Sequence, residues 1–203
     1  MKVLLVEGQV GESARAEEVL TQAGHEVRRC VEPNAASFPC TGLQTGACPL
    51  EDEVIDAAVL VRSELADTRT PREDGARCAL RRHVPLVLAG DVAHSPYAEW
   101  ATAATDDVSS LPQALSAATA ALLARHTKAA TRSLQAVLVQ HELDPSMGSA
   151  EVRRNGTELR VSLHVPSGVP EIVAEMAAVR AAGAIRDVDP YASRIDVTVD
   201  AAG

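Results

Sequence analysis

Apolar residues form short, uninterrupted runs in the first part of the chain. They occupy residues 2–6, 56–61 and 84–89. Such runs are too continuously apolar for a strand with one solvated face, so they predict strands buried on both faces of a sheet. Helical spacing of apolar residues follows or separates the runs, in residues 16–23, 72–82, 98–102 and 115–124. This alternation predicts an α/β domain over residues 1–126, with a doubly wound parallel sheet and helices on both faces.

The pattern changes in residues 127–203, where strict alternation of apolar and polar positions replaces the continuous runs. Alternation predicts strands with one solvated face, which is typical of a smaller α+β domain. The predicted elements are, in order, a helix over 133–143, a hairpin turn at Asn155-Gly156, a strand over 159–165, a helix from Pro170 to Gly183 and a strand over 195–199.

The composition narrows the function classes. There are 28 Asp and Glu residues against 19 Lys and Arg, and aromatic residues make up 2% of the chain. Nucleic acids are bound through a basic surface and, when single-stranded, through aromatic stacking, so we expect no nucleic-acid partner. The amino terminus lacks the features of a signal peptide, and no apolar run approaches the roughly 18 residues of a membrane helix. We therefore expect a cytoplasmic protein that does not contact a membrane.

Several short segments of the first domain match one family in order and in approximate spacing. They are residues 2–7, Asp74-Gly75, residues 84–88 and residues 104–112. With these segments, the domain resembles the receiver domain of response regulators. The resemblance implies a flavodoxin-like fold with a five-stranded parallel sheet. It also implies a cis Leu111-Pro112 peptide bond, which the sequence alone leaves open.

The residues that carry receiver chemistry are mostly replaced. A receiver needs an acidic pair for magnesium, an aspartate that accepts phosphate, a hydroxyl and a lysine. The corresponding positions hold Glu7 and Gly8, Val61 or Arg62, Gly90, and Leu111. Only one carboxylate of the set remains, so the sequence predicts a pseudo-receiver that cannot be phosphorylated.

Four cysteines are the candidate chemical site: Cys30, Cys40, Cys48 and Cys78. The segment 30–54 stands where a receiver would have a helix, and its prolines and glycines exclude a long one. In the predicted fold, Cys78 lies on a neighbouring helix. The sulfurs can therefore converge, although the spacing C-x9-C-x7-C-x29-C lacks the C-x2-C pair of common zinc sites. Three interpretations stay open, namely an iron–sulfur cluster or zinc, a reversible disulfide, and buried cysteines without chemistry.

The second domain has the element order of a BON domain, which it resembles around Asn155-Gly156 to Pro166. We interpret it as an interaction module, most simply one that forms a homodimer or binds an unidentified protein partner. Together, the features of the two domains predict a non-enzymatic cytosolic regulatory protein that senses through its cysteines. A thiol/disulfide or iron–sulfur electron-transfer protein is the alternative, and a plain scaffold is the third.

Overall fold

The computed structural model describes residues 1–62, 68–155 and 158–201, with only the backbone of Asn155. The chain divides into two compact units, Met1–Ala121 and Leu122–Gly203. Each unit has its own sheet and its own hydrophobic core. The division falls within one long helix, α5 (Leu111–Gln140).

The first unit has five strands in the order β2-β1-β3-β4-β5, and every neighbouring pair is parallel. This confirms the predicted α/β fold, and the order is that of flavodoxin-like folds. The strands are β1 (Lys2–Glu7), β2 (Glu26–Arg28), β3 (Ala57–Arg62), β4 (Leu86–Gly90) and β5 (Ala103–Thr105). The helices before α5 are α1 (Ala14–Gln22), α2 (Thr41–Thr45), α3 (Pro49–Asp52) and α4 (Asp74–Arg81).

Both faces of this sheet are buried, as the continuous apolar runs predict. Successive side chains of a strand point to opposite faces, so Val3 and Leu5 of β1 join one core cluster and Leu4 and Val6 join the other. The first cluster packs under α1 and α5, and the second packs under α4 and residues 30–54, the cysteine segment. The cysteine segment is therefore anchored on a buried sheet face.

Three details differ from the sequence prediction. Residues 98–102 form only a short 3-10 turn, Ala98–Trp100, before β5. The cis peptide bond among the described residues is Phe38-Pro39, not Leu111-Pro112, because Leu111 and Pro112 form the first turn of α5. The two helices predicted over 115–124 and 133–143 are one helix, since no glycine or proline interrupts residues 113–140.

The second unit has the predicted α+β character. Its sheet has the order β6-β7-β8, with β6 (Ser149–Asn155) antiparallel and β8 (Arg194–Ala201) parallel to β7 (Glu158–Val165). Asn155 pairs with Glu158 across the hairpin, and Gly156 of the predicted turn lies outside the described residues.

The last helix of this unit, α6, is longer than the sequence predicts. It spans Glu171–Val188 and continues through Gly183, where we expected it to end. Ala181 and Ile185 are buried on either side of that glycine, so packing on the core outweighs its weak helix propensity. Among the described helices, none combines the length and the apolar character needed to cross a membrane.

Candidate functional site

Glu7 ends β1 at the carboxyl edge of the sheet, where a receiver holds its acidic pair. Its carboxylate accepts hydrogen bonds from Ser13 Oγ at 2.6 Å and from Arg72 Nη2 at 2.6 Å. Arg29 Nη1 lies 3.9 Å from the same group. Burial raises the pKa of Glu7, but the bonds from Ser13 and Arg72 outweigh it and lower the pKa below its ordinary value. The remaining carboxylate is thus ionised and held by the protein's own cations.

Arg62 ends β3, where a receiver has its phosphate acceptor. It is buried, and its Nε lies 3.1 Å from Oε1 of Glu73, which is fully buried. The other carboxylate oxygen of Glu73 accepts from the Thr70 backbone amide at 3.1 Å. A receiver's acceptor is an accessible carboxylate, whereas this position is filled by an internal ion pair.

Gly90 ends β4, at the position of the receiver hydroxyl. Its φ is +90°, and a Cβ built on it would lie 2.1 Å from the carbonyl oxygen of Arg62. That oxygen also accepts from the Asp91 amide at 2.7 Å. Because β3 and β4 approach so closely here, any side chain at position 90 would collide with the backbone. The site therefore has no room for the hydroxyl that a receiver uses.

The cysteine segment folds into two short helices, α2 and α3, each preceded by a cysteine. Cys40 precedes α2, and Cys48 precedes α3. A Cβ on Gly42 would lie 3.0 Å from Cβ of Cys48, so the glycine allows this close approach. The carbonyl of Cys30, just beyond β2, accepts from the Thr41 amide at 2.8 Å, which ties α2 to the end of that strand.

Helix α4 packs against Cys30 and carries Cys78, the fourth cysteine. A Cβ on Gly75 would lie 3.4 Å from Sγ of Cys30, so the helix packs directly onto that thiol. Cys78 follows Gly75 by almost one helical turn. As a result, all four cysteines line one cavity of about 200 Å³, as do Phe38, Leu43, Arg72, Arg77 and Arg81.

The four cysteines are free thiols. Burial, followed by the neighbouring thiols of Cys48, Cys40 and Cys78, raises the pKa of Cys30 to about 12. The pKa of Cys78 is also raised, first by burial and then by Cys48. In the described part of the chain, no three His, Cys, Asp or Glu side chains are already arranged around a single metal ion. The thiols thus surround a space instead of converging on a point.

Arg72 joins the cavity to the sheet edge. Its Nη1 donates to the carbonyl of Ala35 in the cysteine segment at 2.8 Å, and its Nη2 donates to Glu7. Sequence reasoning missed this residue because its two partners are remote in the chain. It also missed Arg77 and Arg81, although their spacing around Cys78 on a predicted helix was a usable signal.

The fold and the site define a flavodoxin-like α/β protein with a four-cysteine cavity beside the carboxyl edge of its sheet. Comparison with protein-family models and with curated proteins finds no match to this chain.

Proposed function

We propose that this chain is a receiver-like regulatory protein that does not use phosphorylation and senses through an iron–sulfur cluster held by Cys30, Cys40, Cys48 and Cys78. The observation that carries the proposal is the single cavity that all four thiols line. Four cysteine thiolates are the usual protein ligands of such clusters. The receiver resemblance is supported by the strand order and by the position of Glu7.

The size of the cavity favours a cluster over zinc. A structural zinc ion needs its four sulfurs about 2.3 Å from one point, which leaves no open space between them. Here about 200 Å³ lies between the thiols and their neighbours, whereas one water molecule takes up about 30 Å³. A ligand of several atoms fits this space better than one ion.

The charge around the cavity also favours an anionic group. Arg72, Arg77 and Arg81 line it, with Asp74 as the acidic lining residue. Thiolate ligation makes an iron–sulfur site negatively charged, and nearby cations and hydrogen bonds stabilise it and set its potential.

The raised pKa values of Cys30 and Cys78 disfavour either thiol as the nucleophile of a thiol/disulfide catalyst, which is one form of the alternative. An exchange catalyst needs a cysteine whose pKa is lowered toward neutrality. The pKa of Cys30 is instead raised to about 12. Metal ligation overcomes a raised pKa, because the metal displaces the thiol proton.

In this proposal the input is oxidation or loss of the cluster, and the output is a protein contact. The second unit, with its BON-like element order, serves as the interaction or homodimerisation module. A cytosolic location fits, because a reducing compartment keeps the thiols available for a cluster.

The test is the visible absorption of the protein purified without oxygen. We expect the broad absorption of a cluster in the unmodified protein and in Ser37→Ala, a control that alters the cavity lining without removing a ligand. Each single Cys→Ser variant should weaken the absorption or make it oxygen-sensitive. If Cys40→Ser and Cys48→Ser leave the spectrum unchanged, the cysteines do not hold a cluster.

A further inference from the structure

A second site lies on the surface of the first unit, where Arg69 covers two aromatic rings. The Cζ of Arg69 lies 5.2 Å from the ring centroid of Tyr97 and 5.6 Å from that of Trp100. The two rings meet edge to face with centroids 6.4 Å apart. Trp100 is 50% exposed, which is unusual for so large an apolar side chain. The contact holds a cation and an indole together at the surface.

Helix α4 supplies the other wall of an open groove of about 310 Å³, through Arg77, Leu80 and Arg81. Arg77 pairs with Asp74 at 3.1 Å. For Arg69 and Arg81, no carboxylate of the described residues lies within ion-pair distance. The groove is therefore basic on a chain whose net charge is −9.

Tyr97 adds a buried polar group to this groove. The side chain is 1% exposed, and among the described residues its hydroxyl has no hydrogen-bond partner. Burial raises the pKa of this hydroxyl, so it is a protonated donor. Because the hydroxyl is fully buried, Tyr97 contributes to the groove through its ring, which Arg69 and Trp100 contact.

We propose that this groove binds an acidic segment of a partner protein, with carboxylates on Arg69 and Arg81 and an apolar side chain on Trp100. Tryptophan, tyrosine and arginine are the residues that dominate binding energy at protein interfaces. The groove is shallow and largely open to solvent, which suits a partner's surface segment better than a small molecule that needs to be enclosed. Its positive charge selects acidic partners and repels basic ones.

The groove also gives the proposed sensor an output, a step that rests on the function proposed above. Arg77 and Arg81 line both the groove and the cysteine cavity. A change of charge in the cavity therefore acts on side chains that form the groove. We expect a peptide bound in the groove to have a different affinity when the cluster is present.

The fluorescence of Trp100 tests the groove directly, because it is the one tryptophan of the chain. The probe is a short synthetic peptide of glutamate and leucine, and the matched peptide has glutamine at each glutamate. We expect the acidic peptide to change the emission saturably and the glutamine peptide to bind about tenfold or more weakly. Arg69→Ala and Arg81→Ala should each weaken binding about tenfold, while Arg15→Ala, a surface change of equal charge, should leave it unchanged.

Equal binding of both peptides, or unchanged binding in Arg69→Ala and Arg81→Ala, would overturn the proposal. So would a saturable response to inorganic phosphate that blocks the peptide, since the groove would then be a small-anion site. The titration is run on both the metal-free and the anaerobically purified protein. If the anaerobically purified protein carries no cluster but binds the peptide, the groove proposal is supported and the proposed function is overturned. If the protein carries a cluster but does not bind the peptide, the proposed function is supported and the groove proposal is overturned.

Discussion

Arg72 Nη2 donates a hydrogen bond of 2.6 Å to the carboxylate of Glu7, across 65 positions of sequence. The bond fixes the carboxylate at the end of β1 to the cavity that the cysteines line. Both side chains are less than 10% exposed, so little solvent screens the pair. The carboxyl edge of the parallel sheet is thereby coupled to the thiol cavity.

Replacing Arg72 tests this connection. Arg72→Ala leaves the buried Glu7 with Ser13 and Arg29, and we expect the free energy of unfolding to fall by about 2 kcal/mol. The free energy of unfolding is measured with urea. Arg15→Ala is the control, because Arg15 and Glu18 form a pair that is more than half exposed, and removing it should cost under about 1 kcal/mol. An equal effect of the two substitutions would mean that the Arg72 bond contributes little.

Gly90→Ser tests whether the close approach of β3 and β4 excludes a side chain at position 90. The new Cβ would stand 2.1 Å from the Arg62 carbonyl in a left-handed backbone conformation. We expect a loss of stability of about 3 kcal/mol or more. Gly24→Ser is the matched control, since Gly24 has φ +77° and nothing within 4 Å of its added Cβ, so only about 1 kcal/mol of backbone strain applies. Similar melting temperatures for the two variants would contradict the geometry at position 90.

The raised pKa of Cys30 predicts how its thiol reacts in the metal-free protein. Because the pKa is about 12, the thiolate is scarce at neutral pH. The rate of alkylation by iodoacetamide should keep rising about tenfold per pH unit up to about pH 11, since only the thiolate reacts, whereas in the urea-unfolded chain it should level off above about pH 9. Mass spectrometry of the modified peptide gives this rate, and the urea-unfolded chain serves as the control. A rate that is independent of pH would show that the thiol is already ionised.

A buried histidine predicts pH-dependent stability of the second unit. His126 is fully buried on α5, with its Nε2 3.5 Å from Oδ2 of Asp189, an oxygen that Arg154 also contacts at 3.2 Å. Burial lowers the pKa of His126 below 6.5, more than Asp189 raises it. His126 therefore binds a proton more readily in the unfolded chain than in the folded one. Its contribution to the free energy of unfolding is complete above pH 6.5 and is lost as the pH falls below that value.

His126→Gln should reduce the loss of stability between pH 7 and pH 5, as measured by urea unfolding of the full chain. His141→Gln, a change at an exposed histidine, should keep the loss unchanged. If His126→Gln and the unmodified protein lose stability in parallel, another group titrates in this range.

Much of the fold could be predicted because it depends on local patterns. The runs at β1, β3 and β4 are apolar on both faces, and only a doubly covered parallel sheet buries such strands. The extent of the helices was less predictable. Whether α6 ends at Gly183 depends on the packing of Ile185 on the core, which no local signal contains.

The candidate site was predictable only in outline. The positions of Cys30 after β2 and Cys78 on α4 indicated that the sulfurs share one region, and they do line one cavity. Their binding of a cluster stays a prediction. The pairs Arg62–Glu73 and Arg72–Glu7 could not be predicted, because each depends on how side chains of different elements meet at the sheet edge.

We have proposed that four thiols hold one iron–sulfur cluster. The most direct measurement is the iron, acid-labile sulfide and zinc per chain in anaerobically purified protein, compared with Cys48→Ser and Ser37→Ala. We predict matching amounts of iron and sulfide in the unmodified protein and in Ser37→Ala, with a marked loss in Cys48→Ser. A folded protein that contains no iron or sulfide even after reconstitution, or that contains zinc instead, would contradict the claim.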